Sequence, residues 1–170
     1  MTAYVALLRG VNVAGRTLKM EELRRIGSDL GLGSPRTFIA SGNLLFRSGK
    51  PESVLKHDLE RALGAHMGAA VAVLIRTADE LAQVIAGNPF AEQPANRVVA
   101  IFLDEPPPAD AATSARNVED ERLALGTREI YVHYPQGQGR SKLRIPAASR
   151  GTARNMNTVA KLAELAMEMV

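Results

Sequence analysis

Basic residues without acidic neighbours are the main chemical signal in this sequence. Residues 1–20 contain Arg9, Arg16 and Lys19 but no Asp or Glu. Residues 140–161 contain six basic residues and again no acid, whereas residues 91–129 hold eight acidic residues against four basic ones. Arginine binds phosphate through paired hydrogen bonds, and lysine binds it as a point charge. This charge pattern predicts two basic surfaces that bind an anion; the alternative is that they are solvated faces.

Asparagine and serine side chains accompany these cations and could supply neutral hydrogen bonds to the same ligand. We therefore predict that a phosphate-bearing ligand binds in a basic cleft between the two halves of the chain. The candidate ligand-binding residues are Arg9, Asn12, Ser41, Asn43, Arg140, Lys142, Arg154, Asn155 and Asn157. A structural interpretation stays open beside this one, because asparagines also cap helices and fix turns.

The residues that could perform catalysis are few. The chain has no cysteine, which excludes disulfides, thiolate metal ligands and cysteine nucleophiles. His57, His66 and His133 lack the spacing of a metal site, so neither a metal nor a cofactor is expected. Ser41 and Ser141 are candidate nucleophiles, but no base is identifiable beside them. Whether the protein is an enzyme stays open.

Two glycine-containing loops lack the pattern of nucleotide-binding motifs. Asn12 stands where a dinucleotide fingerprint needs its second glycine. The stretch from Gly137 to Lys142 lacks the Gly-Lys-Ser/Thr order of a phosphate loop, although its glycines and bases could still contact an anion. We therefore reject a Rossmann fold, and the phosphate-loop signal is weak.

A phosphate-containing small molecule is the expected partner. Nucleic acid is less favoured, because aromatic residues make up only 4% of the chain and cannot provide many base-stacking platforms. The longest apolar stretch, Met67 to Ile75, is too short to cross a membrane, and the first residues do not resemble a signal peptide. We expect a soluble, cytoplasmic protein without a membrane partner and leave its oligomeric state open.

The elements that position these residues follow from apolar periodicity and turn residues. Residues 1–76 predict the order β-α-β-β-α-β. Its strands are expected at Ala3–Leu8, Arg36–Ala40, Leu44–Phe46 and Val71–Ile75, with one helix from Met20 to Leu30 and another after Pro51. Thr77 and Glu80 form a capping box that starts a third helix.

The second half of the sequence partly repeats this order. Strands are expected at Val98–Leu103, Arg122–Leu125 and Ile130–Tyr134, and helices at Ala109–Arg116 and Thr158–Met169. The fold class is therefore α+β, with two ferredoxin-like (α-β plait) subdomains that have antiparallel or mixed sheets. Their bounds are residues 1–76 and 91–170, with a linking helix and loop at 77–90. The predicted core includes Leu23, Ile26, Leu55, Leu59, Leu162 and Ala166.

Four segments carry a resemblance in their order along the chain: Leu8–Gly15, Ser41–Phe46, Gly139–Leu143 and Thr152–Val159. Together they resemble a known bacterial family, domain of unknown function 1697. The resemblance implies two plait-like α+β subdomains and no assigned activity. The sequence departs from the family pattern at Ala14, where a glycine is common, at Met156, where a tryptophan is common, and in a shorter segment 143–151.

Two other kinds of function stay open beside ligand binding. A structural or protein-interaction module would scatter its basic residues without a shared pocket. A phosphoryl-transfer or acyl-transfer enzyme would use the same site, and phosphoryl transfer can operate by positioning and charge alone.

Overall fold

The computed structural model describes residues 1–13 and 15–170, so the family difference at Ala14 lies outside the described residues. The chain forms two compact units. The first contains residues 1–81 together with 162–170, and the second contains residues 82–161. Residues 162–170 thus group with the first unit, whereas the sequence analysis assigned them to the second half.

The first unit has the predicted β-α-β-β-α-β order. Its elements are β1 (Thr2–Leu8), α1 (Met20–Asp29), β2 (Gly33–Thr37), β3 (Asn43–Ser48), α2 (Glu52–Met67) and β4 (Val73–Thr77). The four strands form one antiparallel sheet in the order β2-β3-β1-β4. The strands β1 and β2 are therefore parallel and separated by β3.

Both helices of this unit pack on one face of the sheet. Leu23 of α1 and Leu55 and Leu59 of α2 are buried in one core with Tyr4 and Leu8 of β1. The leucines of α2 recur every four residues, which places them on one side of the helix. The alternate residues of β1 point to the other face of the sheet, and they are buried as well. β1 is therefore a central strand with no exposed face.

The third helix, α3 (Ala78–Ala86), begins at the predicted capping box. The backbone N–H of Thr77 donates to the Glu80 carboxylate at 2.9 Å, and the N–H of Glu80 donates to the Thr77 hydroxyl at 3.1 Å. These reciprocal bonds satisfy two backbone donors that a helix start leaves open. The capping-box prediction is confirmed.

The second unit repeats the strand order but not the helices. Its strands are β5 (Val98–Phe102), β6 (Arg122–Leu125), β7 (Glu129–His133) and β8 (Thr152–Asn155). The helix α4 (Met156–Met167) begins in this unit and ends in the first one. The four strands form an antiparallel sheet in the order β6-β7-β5-β8, which matches the first sheet strand for strand. Turns connect β5 to β6. The connection from β7 to β8 contains only the short 3-10 helices Gln138–Arg140 and Pro146–Ala148.

The predicted helix at residues 109–116 is wrong, because this segment forms turns. Asp110 holds the turns locally: its carbonyl accepts from the Thr113 hydroxyl at 3.0 Å, and its carboxylate accepts from the Ser114 hydroxyl at 3.3 Å. Arg116 then pairs with Arg144 through two backbone hydrogen bonds. Such local side-chain bonds compete with helix formation, and the distant backbone pairing draws the end of the segment away from a helix.

The second strand is displaced from its predicted bounds. It runs from Gly33 to Thr37 rather than from Arg36 to Ala40. Ile39 has a φ of 54°, which is incompatible with an extended strand. The chain therefore turns after Thr37, so only Arg36 and Thr37 of the predicted strand lie in β2.

Of the predicted core residues, five are buried and Ile26 is partly buried; the buried ones are Leu23, Leu55, Leu59, Leu162 and Ala166. Within the described residues, no helix combines the length and the apolar composition that a membrane crossing would need.

Replacing Leu59 by Ala should lower the free energy of unfolding by about 2–5 kcal/mol, because it leaves a cavity in a closely packed core. Leu59 has no exposed surface, whereas Val54 on the same helix is 40% exposed. The matched control Val54→Ala should change stability by less than about 0.5 kcal/mol. Urea unfolding of both variants tests the prediction, and equal effects would contradict it.

Candidate functional site

Three loops meet at one end of the first sheet. The backbone N–H of Leu8 donates to the carbonyl of Gly42 at 2.9 Å, and the N–H of Arg9 donates to the carbonyl of Ala72 at 2.9 Å. These bonds join the loop after β1 to the turn before β3 and to the segment before β4. We call the described residues 9–19, 38–42 and 69–72 the arginine loop cluster. It contains three basic residues and no acidic one.

Asn12 fixes the arrangement of this cluster. Its side-chain N–H groups donate to the carbonyls of Leu18 at 3.0 Å and Ala40 at 2.6 Å, and its side-chain oxygen accepts from the N–H of Leu18 at 2.8 Å. Its φ of 56° lies in the left-handed region that asparagine tolerates better than most residues. The amide is thus engaged with the backbone, and Asn12 acts as a positioning residue for two loops.

Asn43 holds the neighbouring turn from inside the protein. It is fully buried, and its amide nitrogen donates to the carbonyl of Phe38 at 2.9 Å and to the Ser41 hydroxyl at 3.2 Å. The turn carries Ile39 in the left-handed region, which a β-branched side chain rarely adopts. The two asparagines on either side hold the chain in this conformation. Ser41 remains exposed at the surface of the turn.

Arg16 is a cation of the cluster that the backbone holds in place. Its Nη2 donates to the carbonyl of Ala70 at 2.8 Å, and its Nη1 lies 3.5 Å from where a Cβ on Gly10 would stand. Among the described residues, no carboxylate forms an ion pair with Arg16. Arg9 lies on the same loop and is exposed. Arg16 is not among the predicted ligand-binding residues, although it follows Gly15 in an acid-free segment.

Arg154 lies inside the second unit rather than on its surface. It is 7% exposed, and its Nη1 donates to the Thr152 hydroxyl at 2.8 Å and to the carbonyl of Ala153 at 3.0 Å. Burial disfavours the charged form and lowers the pKa of Arg154 to about 10. The guanidinium is therefore held by its own strand.

The two neighbouring asparagine candidates have different positions. Asn155 accepts the N–H of Thr158 at 3.0 Å through its side-chain oxygen, which makes it the cap of α4. Asn157 lies exposed in the first turn of that helix. The cap accounts for the asparagine at position 155 without a ligand.

A buried arginine before a helix cap occurs in both units. Arg76 is 1% exposed and donates from Nη1 to the carbonyl of Ile75 at 2.9 Å, as Arg154 does to the residue before it. Thr77 then caps α3 in the way that Asn155 caps α4. Because β4 and β8 occupy the same edge position in their sheets, the units share a strand-arginine-cap-helix motif. In the sequence this motif is visible as Arg-Thr or Arg-Asn directly before a helix. It was not among the predicted features.

Arg140 and Lys142 are exposed on the connection between β7 and β8. Arg140 ends a 3-10 helix, and the carbonyl of Lys142 accepts the side-chain amide of Asn117 at 3.2 Å. The structure thus groups Arg9, Asn12, Ser41 and Asn43 in the first unit, and places the other five candidates in the second unit at separate positions. That both groups contact one ligand stays a prediction.

Ser141 has an acidic partner that the sequence analysis did not identify. Its hydroxyl donates to the Glu121 carboxylate and accepts the N–H of Leu143 at 3.1 Å. The hydrogen bond from Ser141, followed by the backbone bonds of Glu119 and Glu121, lowers the pKa of the Glu121 carboxyl. A carboxylate with a lowered pKa is a weak proton acceptor. The pair therefore stabilises the local chain and is poorly suited to activating the serine.

Replacing Asn12 by Ala should lower the free energy of unfolding by about 2 kcal/mol, because three side-chain hydrogen bonds disappear and Ala tolerates a positive φ poorly. The control Asn157→Ala removes an exposed asparagine and should have an effect below about 0.5 kcal/mol. Thermal and urea unfolding report both values. An Asn12→Ala variant as stable as the control would show that the loops do not need this amide.

The Glu121 carboxylate should make stability depend on pH in the acid range. Its folded pKa lies below the ordinary value of 4.5, so its contribution is present above about pH 4.5 and is lost as pH falls through the folded pKa. Glu121→Gln should therefore destabilise the protein at neutral pH and much less at strongly acid pH. Urea unfolding across this range tests it, with the exposed Glu92→Gln as control. A pH-independent difference would contradict the prediction.

Comparison with other proteins shows a shared fold. No curated protein matches the chain. A solved structure of a conserved bacterial protein from Streptococcus pneumoniae has a TM-score of 0.81 and 24% sequence identity, and the match covers 98% of this chain and 99% of that one. At this identity the likeness shows the fold alone.

The family comparison covers most of the chain. The model of the family described as "Protein of unknown function (DUF1697)" matches residues 1–131. Two of the four resembling segments, Leu8–Gly15 and Ser41–Phe46, lie inside this match. They contribute to the arginine loop cluster and to the start of β3. The other two segments lie beyond residue 131. The chain belongs to the DUF1697 family.

Proposed function

We propose that the protein binds a phosphate-bearing small molecule at the arginine loop cluster, with Arg16 as the principal contact. One observation carries the proposal: the Arg16 guanidinium is held by a backbone carbonyl rather than by a carboxylate. Its charge is therefore not neutralised by an ion pair, and its position is fixed before a ligand arrives. Preorganised groups lose less conformational entropy on binding than mobile ones do.

The remaining donors of Arg16 suit an anion. A guanidinium has five N–H donors in a planar fork, and the bond to Ala70 accounts for one of them. Two parallel N–H groups match two oxygens of a phosphate. The backbone N–H groups of Gly10 and Val11 have no hydrogen-bond partner among the described residues, and such backbone groups favour bound anions.

The acidic side chains next to the cluster are already engaged or absent. Glu22, in the first turn of α1, accepts the N–H of Lys19 at 3.2 Å, and its other carboxylate oxygen lies 2.9 Å from Nε2 of His66. The loops themselves contain no acid, so their positive charge is not cancelled locally. A bound anion would relieve this repulsion and stabilise the folded protein.

The other candidates take supporting positions in this proposal. Arg9 and Ser41 lie exposed on the same loops and would contact the ligand at its edge, while Asn12 and Asn43 position the loops. A compact site with few aromatics favours a small phosphate compound over a nucleic acid.

Pyrophosphate is a suitable probe, and its binding to the full chain can be measured by calorimetry and by thermal shift. Arg16→Ala should weaken binding at least about tenfold, which corresponds to about 1.4 kcal/mol. Arg61→Ala removes the same charge from an exposed position on α2 and should bind as the unchanged protein does. Equal losses in both variants, or no binding in any, would reject the proposal.

A second measurement separates the two ligand classes. A mixed-sequence single-stranded oligonucleotide should bind weakly at low salt and lose its affinity as salt rises. Pyrophosphate binding should be less affected by salt, because it depends on a few fixed contacts. Tight binding of the oligonucleotide but not of pyrophosphate would favour a nucleic-acid ligand instead.

A further inference from the structure

A small acidic cavity lies within the second unit. Its volume is 190 Å³. It is lined by three consecutive carboxylates, one arginine and several neutral polar residues: Glu119, Asp120, Glu121, Tyr134, Gln136, Gly137, Arg140 and Ser141. Three negative charges against one positive charge leave the cavity with a net negative charge. Its volume suits a ligand smaller than the occupants of typical ligand pockets.

Tyr134 supplies an independent sign of a ligand site. The residue is only 6% exposed, yet its hydroxyl has no hydrogen-bond partner among the described residues. In the described part of the chain, Arg47 Nε is the one fully enclosed side-chain polar atom without a hydrogen-bond partner. Because the Tyr134 hydroxyl also lacks a partner but is not such an atom, it retains some accessible surface. Buried tyrosine hydroxyls usually find a partner. Tyr134 lines the cavity, and the hydrogen-bonding capacity of its hydroxyl is unused.

The carboxylates retain capacity for a cation. Glu121 accepts the N–H of Glu119 at 2.8 Å on one oxygen and the Ser141 hydroxyl on the other, but each carboxylate oxygen has two lone pairs. Glu119 and Asp120 are exposed at the rim. Arg140 forms no ion pair with these acids among the described residues. The cavity therefore offers acceptors at its floor and negative charge at its entrance.

We propose that this cavity binds a small organic cation that carries a primary ammonium group. A primary ammonium has three N–H donors. The Glu121 carboxylate, the Tyr134 oxygen and the Glu119 carboxylate supply the three acceptors. Within the described residues, no group of acidic or histidine side chains is arranged to hold a metal ion, whereas a tyrosine hydroxyl in a cavity lined by carboxylates suits an N–H donor.

Two pKa shifts are consistent with this assignment. The carboxyl of Glu121 has a lowered pKa and stays ionised at neutral pH. Burial and then the charge of Glu121 raise the pKa of Tyr134, so the hydroxyl stays neutral there and offers an oxygen to a donor. The site is thus a fixed negative charge beside a neutral hydroxyl.

The test is an NMR titration of the isotope-labelled full chain with n-propylammonium. Saturable shifts are expected at residues 119–121 and 134–141. Tyr134→Phe keeps the ring and should weaken the apparent Kd about tenfold. Glu119→Gln, at the exposed rim, should weaken it as well, while Glu92→Gln, an exposed acid elsewhere in the same unit, should not.

Tetramethylammonium has the same charge but no N–H donors, so it should bind far more weakly than n-propylammonium. Equal binding of the two cations would overturn the proposal, as would stronger shifts of the same residues by Mg²⁺. Failure of Tyr134→Phe to weaken binding would also overturn it. None of these variants touches Arg16, so the result is independent of the phosphate proposal.

Discussion

The close contact at Gly42 is the constraint on which the loop end of the first unit depends. A Cβ at this position would lie 2.6 Å from Val11 Cγ2 and 3.0 Å from the Cβ of Leu8, and the residue has a φ of +93°. Only glycine fits both conditions. Because the two loops touch here, the Leu8 N–H reaches the Gly42 carbonyl and Asn12 reaches Ala40. The position of the loop that carries Arg16 follows from this contact.

Local patterns predicted most of the first unit, because its helices and its capping box depend on residues close in sequence. Where the structure differs from the predicted elements, contacts between residues far apart in sequence are the cause. Ile39 takes a left-handed conformation in a turn that Asn12 holds from 28 positions away, and this ends the second strand early. Arg116 pairs with Arg144 instead of continuing a helix. Apolar periodicity contains no information about such pairings.

The sequence predicted the chemical types of the candidate site better than the roles of individual residues. Asparagines and arginines do gather in the arginine loop cluster, but charge and spacing do not reveal whether a side chain is buried. Arg154 is buried against its own strand and Asn155 caps a helix, while Arg16 is the fixed cation without a carboxylate partner. Ser141 has its acidic partner twenty positions earlier, on a segment whose acidity was visible but whose position required the fold.

The division of the chain into units has a consequence for synthesis. The first unit consists of residues 1–81 and also of residues 162–170, and Arg36 of β2 forms an ion pair with Glu168 at 4.0 Å. A ribosome delivers the last of these residues only after the whole of the second unit. The unit that is translated first is therefore completed last, and its sheet must persist on the nascent chain without its final helical turns. A chain that ended before residue 162 would therefore carry an incomplete first unit, however much of the second unit it contained.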